Sequence, residues 1–407
     1  MTILRHYDVQ ALRSRIPALK AGSAHFDGAG GTQIPDLVID AIAHALSSPL
    51  ANRGTVTAGQ RNAEAIVVEA RRAMADFLGA DPAGIVFGRS TTQLVFDFAR
   101  TVSDGWKPGD EVVVTRLDHE ANIRPWVTAA ARTGALVRWA DFDPVTGELT
   151  PDHVRAAVSE RTRLVAVTAA SNLIGTRPDV PRIAEVAHAA GALVFVDAAH
   201  YSAHAGVDVE ALGADFAVCS AYKFLGPHVG VLAARPDLLR GLRPDKLLAA
   251  IDDVPERFEL GILPYGVLAG LRATVEFFAG LGTLREGTRR DRLLSGMAAV
   301  EGHEDALRAR LEGGLAVLDG VIVHSRAARR APTLLLTVAG HDARDVSDFL
   351  AARGVDAGHG SFYAVEASRR LGLGDHGGLR VSLAPYSSAD DVDRLLEGLS
   401  DYLHLTR

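Results

Sequence analysis

The sequence predicts an α/β protein built on an open, mainly parallel sheet, and three observations carry that expectation. Short apolar runs such as Glu111 to Thr115 and Arg163 to Thr168 alternate with segments of helical period along much of the chain, as repeated strand–helix–strand units require. Two of those runs end in polar residues: Ala192 to Val196 ends on Asp197, and Phe216 to Cys219 ends on Ser220, Ala221, Tyr222 and Lys223. A short crossover separates the two runs. In an open parallel sheet the carboxyl ends of the strands face the ligand crevice, so Asp197 and Lys223 are expected to meet there. Taken singly, each also reads as something plainer, a turn-capping aspartate and a surface lysine.

Composition narrows the class. The chain has 407 residues, 48% hydrophobic and 23% charged, enough for two domains around a substantial core. Lys and Arg number 43 against 50 Asp and Glu, a formal charge of −7 with the basic residues scattered, which argues against nucleic acid or an anionic membrane as the main partner. Cys219 is the single cysteine, so an internal disulfide framework is excluded. The opening MTILRHYDVQALRSRIPALK has no apolar core of signal-peptide length and no later segment approaches a membrane span, so a cytoplasmic protein is expected.

In chain order, residues 1–20 read as an arm with one short helix ending near Pro17. His25 to Gln33 is glycine-dense, which lets a backbone approach a ligand closely, but it does not fit the G-x-G-x-x-G pattern of a nicotinamide site. Gln60 to Gly79 is helical, with Gly79 as the stop. The strand Ile85 to Phe87 leads through Gly88-Arg89-Ser90-Thr91-Thr92-Gln93 into a helix running to about Thr101. A hydroxyl-rich turn at a helix N-terminus suits an anion, because free N–H groups and the helix dipole both favour negative charge; it suits an ordinary N-cap as well.

Further strands are expected at Ala135 to Trp139, Val229 to Ala233, Pro332 to Val338 and Leu379 to Leu383. Helices are expected at Thr150 to Val158, Asp179 to Ala190, Leu263 to Gly282, Leu284 to Leu311, Ala343 to Arg353 and Ser388 to Leu403. His119-Glu120 is followed by Ile123 where a zinc helix needs its second histidine. Glu185 with His188, or His200 with His204, gather too few ligands for a metal, so no metal is expected.

A lysine and an aspartate at one crevice suit pyridoxal phosphate, whose aldehyde needs an amine for a Schiff base and whose ring nitrogen needs an anionic partner. Ser220-Ala221-Tyr222-Lys223 with Gly226-Pro227, and Asp197-Ala198-Ala199-His200 at matching separation, resemble the lysine and aspartate motifs of the class V aminotransferase family, which includes the cysteine desulfurases. The resemblance runs over nearly the whole chain. It implies the fold of type I pyridoxal-phosphate enzymes, a mainly parallel seven-stranded sheet sandwiched by helices plus a smaller C-terminal α/β domain. The corresponding division is an arm (1–20) packing on the small domain, a large cofactor-binding domain (21–283) and the small domain (284–407).

The same resemblance implies roles. Lys223 forms the Schiff base and moves protons, Asp197 partners the ring nitrogen, and His119 stacks on the ring and helps to move protons. Thr91, Thr92, Ser220 and Tyr222 lie at the phosphate end, with Asn172 and His200 near the phenolic oxygen. Arg380 grips the substrate α-carboxylate, the glycine-dense His25 to Gln33 corresponds to the family's N-terminal substrate-side loop, and Asn52-Arg53-Gly54 to a second active-site loop in which Asn52 and Arg53 bind substrate. Arg257 to Gly261 resembles the segment a second subunit contributes, implying a homodimer with shared sites.

Departures qualify the activity. The loop that carries the desulfurase cysteine reads Ala357-Gly358-His359-Gly360-Ser361; His200, Tyr222 and Ile262 stand where relatives carry glutamine, histidine and threonine. A hydroxyl cannot carry a persulfide. The expected function is therefore a pyridoxal-phosphate-dependent enzyme acting on a small amino acid, an aminotransferase first. The alternatives are a C–S or other β-lyase without a persulfide cysteine, and an inactive binding protein of the same fold.

Overall fold

The computed structural model describes residues 7–405; the first six residues of the expected arm lie outside the described residues. After a short β1 (Ala24–His25), seven strands form the central sheet: β2 (Ile85–Gly88), β3 (Glu111–Thr115), β4 (Leu136–Ala140), β5 (Thr162–Thr168), β6 (Leu193–Asp197), β7 (Phe216–Ser220) and β8 (Gly230–Ala234). Their order is β2-β8-β7-β6-β5-β3-β4. Only β8 runs against its neighbours, pairing antiparallel with β2 and β7, so the sheet is mainly parallel as expected.

Parallel sheets are covered on both faces, and their strands read as continuous apolar runs. Every residue of β3 and β7 is buried. Val113, Val165, Val194 and Val231 pack on one face with Met74, Phe77 and Phe278. Val112, Val114, Phe195 and Phe216 pack on the other with Leu94, Phe98 and Trp126.

The covering helices start and stop where their sequences dictate. Ala58–Leu78 opens on a capping box between Thr57 and Gln60 and ends on Gly79 at φ 64°, a left-handed position that glycine takes without a Cβ penalty. Gly296 lets the helix Arg289–Leu315 cross Tyr265–Ala279 closely, since a Cβ there would stand 2.0 Å from the Phe278 carbonyl oxygen. The expected helix over 150–158 is shorter, Pro151–Arg155, because the chain turns after Ala156 and the Thr162 N–H returns to Ser159. Helices at Asp36–Ser47 and Arg124–Thr133 were not expected. The first fully buries only Val38 and Ala45, too few for a clear apolar period, and the second starts at Arg124 with Pro125 in its first turn.

The second sheet comprises β9 (Val321–Val323), β10 (Thr333–Val338), β12 (His359–Gly360) and β13 (Gly378–Ser382) in the antiparallel order β12-β13-β10-β9, while β11 (Val355–Asp356) pairs with β1 in parallel. Leu311, Leu334, Val346, Val381 and Leu395 form its core with the helices. At the chain's start, Arg13 donates to Asp391 and to the Tyr386 carbonyl, both at 2.7 Å, and the Tyr7 hydroxyl donates to the Pro385 carbonyl at 2.9 Å. The helix Val9–Ser14 is thereby tied to the segment before the closing helix Ala389–Leu405.

A buried ion pair fixes the segment around Glu259. Its carboxylate takes both terminal nitrogens of Arg71 at 2.8 and 2.6 Å and the Phe87 N–H at 2.8 Å, with side chains only 7% and 4% exposed. Removing one partner of such a pair strands the other charge, whereas replacing both by apolar groups is far milder. Glu259→Ala is therefore expected to destabilise the protein by about 3–5 kcal/mol, read as a lower urea midpoint, and Arg71→Met combined with Glu259→Leu to recover most of that loss.

Candidate active site

The cofactor-type residues arise where strands end. Asp197 is the last residue of β6, Ser220 the last of β7, and Lys223 closes the single turn Ala221–Lys223 that follows. The two strands pair in parallel, with Asp197 opposite Val218, so their carboxyl ends emerge side by side. A cavity of about 650 Å³ opens there, lined among others by Asp27, Thr92, His119, Asn172, Lys223 and Arg380. Tyr222, Phe362 and Tyr363 also reach it.

Burial sets the charges. The Lys223 ammonium is pulled down to about 8, mainly by desolvation, with the Arg380 charge adding and the Asp197 and Asp27 charges opposing. Desolvation pushes Asp197 up, while Lys223 and the Ala199 N–H, which donates to Asp197 Oδ1 at 2.8 Å, hold it down. Behind it lies Asp118, which sequence reasoning did not single out. Fully buried, it is raised to about 8 by desolvation and by the Asp197 charge, although it accepts from the Thr115 hydroxyl, from Asn122 Nδ2 at 2.6 Å and from the Thr168 N–H at 3.1 Å.

His119 Nδ1 accepts the Ala121 N–H at 3.0 Å, so its proton resides on Nε2. Desolvation first, then Lys223 and Arg380, depress the imidazole to about 3. The ring is neutral at physiological pH and its remaining proton-handling atom is Nε2.

The anion end is the N-terminus of the helix Thr91–Ser103. Ser90 caps it by accepting the Gln93 N–H at 3.2 Å, leaving the Thr91 and Thr92 N–H groups in the first turn without intrahelical partners. Gly230 makes the close approach possible, since a Cβ there would stand 2.3 Å from the Ser90 carbonyl carbon and 2.5 Å from the Thr91 nitrogen. The hydroxyls divide their work. Thr91 Oγ1 donates to the Cys219 carbonyl at 2.8 Å and lies 2.6 Å from Ser220 Oγ, so its proton is used and Ser220 donates to it. Those two hydroxyls knit the helix to β7, while Thr92 lines the cavity. Tyr222 stacks on His228, with centroids 4.9 Å apart and planes at 14°.

Arg380, on β13, comes from the other sheet. Its guanidinium donates to Asp27 and to the Asn172 carbonyl at 3.2 Å, and lies 3.7 Å from the Phe362 ring centroid. Asn172 Nδ2 donates to the Phe362 carbonyl at 2.9 Å, which fixes the amide's orientation, and its buried Oδ1 has no protein partner. Phe362 and Tyr363 both sit at positive φ, 51° and 58°, a left-handed conformation that bulky residues adopt only under constraint. The Glu120 N–H holds this turn through the Tyr363 carbonyl at 2.7 Å.

Not every expected residue gathers here. His200 is fully buried, with Nε2 2.9 Å from Thr333 Oγ1 and Nδ1 unpartnered; desolvation, His204, Lys223 and Arg380 push it well below the usual histidine range. Asn52 is exposed and Arg53 pairs with Glu64 and Glu256 at 2.9 and 3.0 Å, so neither joins this cavity's lining. Phe258 and Glu259 of the segment 257–261 are buried in their own chain, whereas Leu260 and Ile262 are exposed. Asp27, Phe362 and Tyr363 were missed as individual residues, although both glycine-punctuated loops that carry them were noted.

This set fits pyridoxal phosphate. It supplies a buried amine at Lys223, a carboxylate at Asp197, a flat neutral ring at His119 and a helix N-terminus opened by Gly230 for an anion. Asn172 Oδ1 is a buried polar atom of the lining left without a protein partner.

Comparison with known proteins agrees with this geometry. The family model described as Aminotransferase class-V matches residues 24–395. A probable cysteine desulfurase of Pseudomonas aeruginosa is 33% identical over 414 residues, covering 97% of this chain and 98% of the relative. The aminotransferase-like protein FGM3 of Gibberella zeae is 31% identical over 414 residues, covering 97% and 98%. The solved cysteine desulfurase CsdA (S-sulfonic acid) of Escherichia coli superposes with a TM-score of 0.87 at 27% identity, covering 98% and 99%. Fold, strand-end residues and matches over almost the full length converge: the chain belongs to the class V aminotransferase family.

Proposed function

We propose that the protein is a pyridoxal-phosphate-dependent lyase that breaks a β-bond, C–S first, in a small amino acid and releases the β-substituent directly. The observation that carries this reading is that no cysteine lines the cavity, in a chain similar to proteins named cysteine desulfurases. The loop at 357–361 carries Gly360 and Ser361, and the single cysteine, Cys219, is fully buried on β7 with its thiol held protonated by desolvation. The balanced reaction converts the amino acid and water into pyruvate, ammonium and the protonated leaving group.

The bound cofactor supplies an electron sink for the substrate α-carbon. The chain's own residues do the rest. Lys223 Nζ, its ammonium pulled down by burial, would take the proton from the α-carbon and hand a proton to the departing β-substituent. Asp197 would supply the negative charge that the ring nitrogen needs, the neutral His119 ring would pack against the cofactor, and Arg380 would bind the α-carboxylate. Thr92 and the first-turn N–H groups hold the phosphate. A second copy of the chain completes the assembly in this reading, supported by the exposed apolar residues Leu247, Leu248, Ile251, Leu260 and Ile262, each at least 58% exposed. The division into a packing arm (1–20), a large cofactor-binding domain (21–283) and a small domain (284–407) belongs to the same proposal.

Transamination is the second reading, favoured by the family description and by the aminotransferase-like relative. A panel of small amino acids, assayed for pyruvate, ammonium and sulfide with and without an added keto acid, separates the two. Pyruvate and ammonium formed without a keto acid are expected. Product that depends on a keto acid establishes transamination instead, and no turnover with the cofactor fixed leaves the binding-protein reading.

The lowered Lys223 value has its own consequence, because only the neutral amine is nucleophilic. Added pyridoxal phosphate should be fixed at a rate that rises about tenfold per unit up to pH 8 and then levels; an ordinary lysine would keep rising toward pH ~10. Borohydride trapping and peptide mass spectrometry locate the modification, and Lys223→Ala is expected to abolish it.

A further inference from the structure

The geometry points to Asp27 as a specificity-determining residue that occupies the carboxylate seat on Arg380 and must be displaced by the substrate's own α-carboxylate. The inference rests on Arg380 being that seat. Arg380 is 3% exposed at its side chain and Asp27 50%, and both line the same cavity. The carboxylate therefore stands on the open side of a guanidinium that is otherwise enclosed, with Phe362 over its plane and the Asn172 carbonyl on one nitrogen.

The backbone holds this arrangement. Asp27 bridges to Ser382 in parallel, two residues along β13 from Arg380, and its carbonyl accepts the Gly30 and Gly31 N–H groups at 2.8 and 3.0 Å. A Cβ on Gly30 would lie 2.4 Å from Asp27 Oδ2, so glycine at that position leaves room for the carboxylate. With the main chain pinned, Asp27 can leave Arg380 only by rotating its side chain.

Two carboxylates on one enclosed guanidinium repel each other. A ligand that brings a carboxylate replaces the Asp27 charge one for one, and the half-exposed Asp27 side chain can turn to water. A ligand without one would have to leave the latch closed or strand the Arg380 charge. Asp27 thus neutralises Arg380 in the empty site and admits a ligand to it only against an equal charge. Its negative charge also helps to keep Lys223 protonated, and the incoming carboxylate takes over that function.

Calorimetric titration of the pyridoxal-phosphate-loaded protein with L-alanine and with L-alaninamide tests this. Asp27→Asn is expected to bind L-alanine about tenfold more tightly, the worth of one charge-assisted hydrogen bond, and L-alaninamide within about twofold of wild type. Asp27→Glu, which keeps the competing charge, should stay within about threefold for both ligands. Arg380→Lys should lose L-alanine binding while retaining L-alaninamide.

Weaker or unchanged L-alanine binding by Asp27→Asn, with the loss at Arg380→Lys intact, overturns the latch and leaves the Arg380 reading standing. Unchanged L-alanine binding in both variants removes the Arg380 reading itself. Should Asp27→Asn fail to fold, a crystal structure of the wild type with L-alanine decides: Asp27 turned away from the guanidinium supports the latch, and Asp27 still bonded to it overturns it.

Discussion

The site depends on keeping two buried cations, Lys223 and Arg380, in one cavity. Burial alone would drive the lysine neutral and leave the arginine stranded. Asp197 and Asp27 prevent that, one from the end of the neighbouring strand and one from the loop after β1. The residual imbalance leaves Lys223 near 8 rather than far below it, and the same low-dielectric surroundings keep His119 and His200 neutral. Charge balance, more than any single contact, lets an amine exchange a proton here near physiological pH.

Topology makes that balance possible. Parallel strands put Asp197 and the Lys223 turn at the same edge, and the antiparallel β8 returns close enough for Gly230 to pass beneath the helix carrying Thr91 and Thr92. The second sheet contributes Arg380, and the segment following β1 runs beside β13 to bring Asp27 to it. The rim is tensed: two successive left-handed residues, Phe362 and Tyr363, carry strain of order 1–3 kcal/mol each, held by hydrogen bonds from Asn172 and Glu120. Asn172 thus links the turn to the strand-end cluster, so the shape of the substrate entrance and the setting of Arg380 are not independent.

The sequence made the strand ends legible because buried parallel strands are continuous apolar runs, and a polar residue ending such a run has few places to be. Glu111–Thr115 follows that rule to the residue, and Asp197 and Lys223 meet as expected. Spacing could not say how hydroxyls would share protons, so Thr91 and Ser220 read as anion ligands when they bond each other and the backbone of β7. Asp27 was invisible for a related reason. Its partner is 353 positions away, and no local pattern marks a carboxylate that meets an arginine across a sheet edge. Arg53 shows the reverse case: its neighbourhood suggested a site, but Glu64 and Glu256 had already claimed its charge.

Cys219 carries one more consequence. Oxidants and electrophiles attack thiolates that are exposed and easily ionised, and this chain's single sulfhydryl is neither, being fully buried on a central strand with its ionisation suppressed. Among the described residues there is no exposed thiol to meet peroxide, glutathione or an alkylating drug.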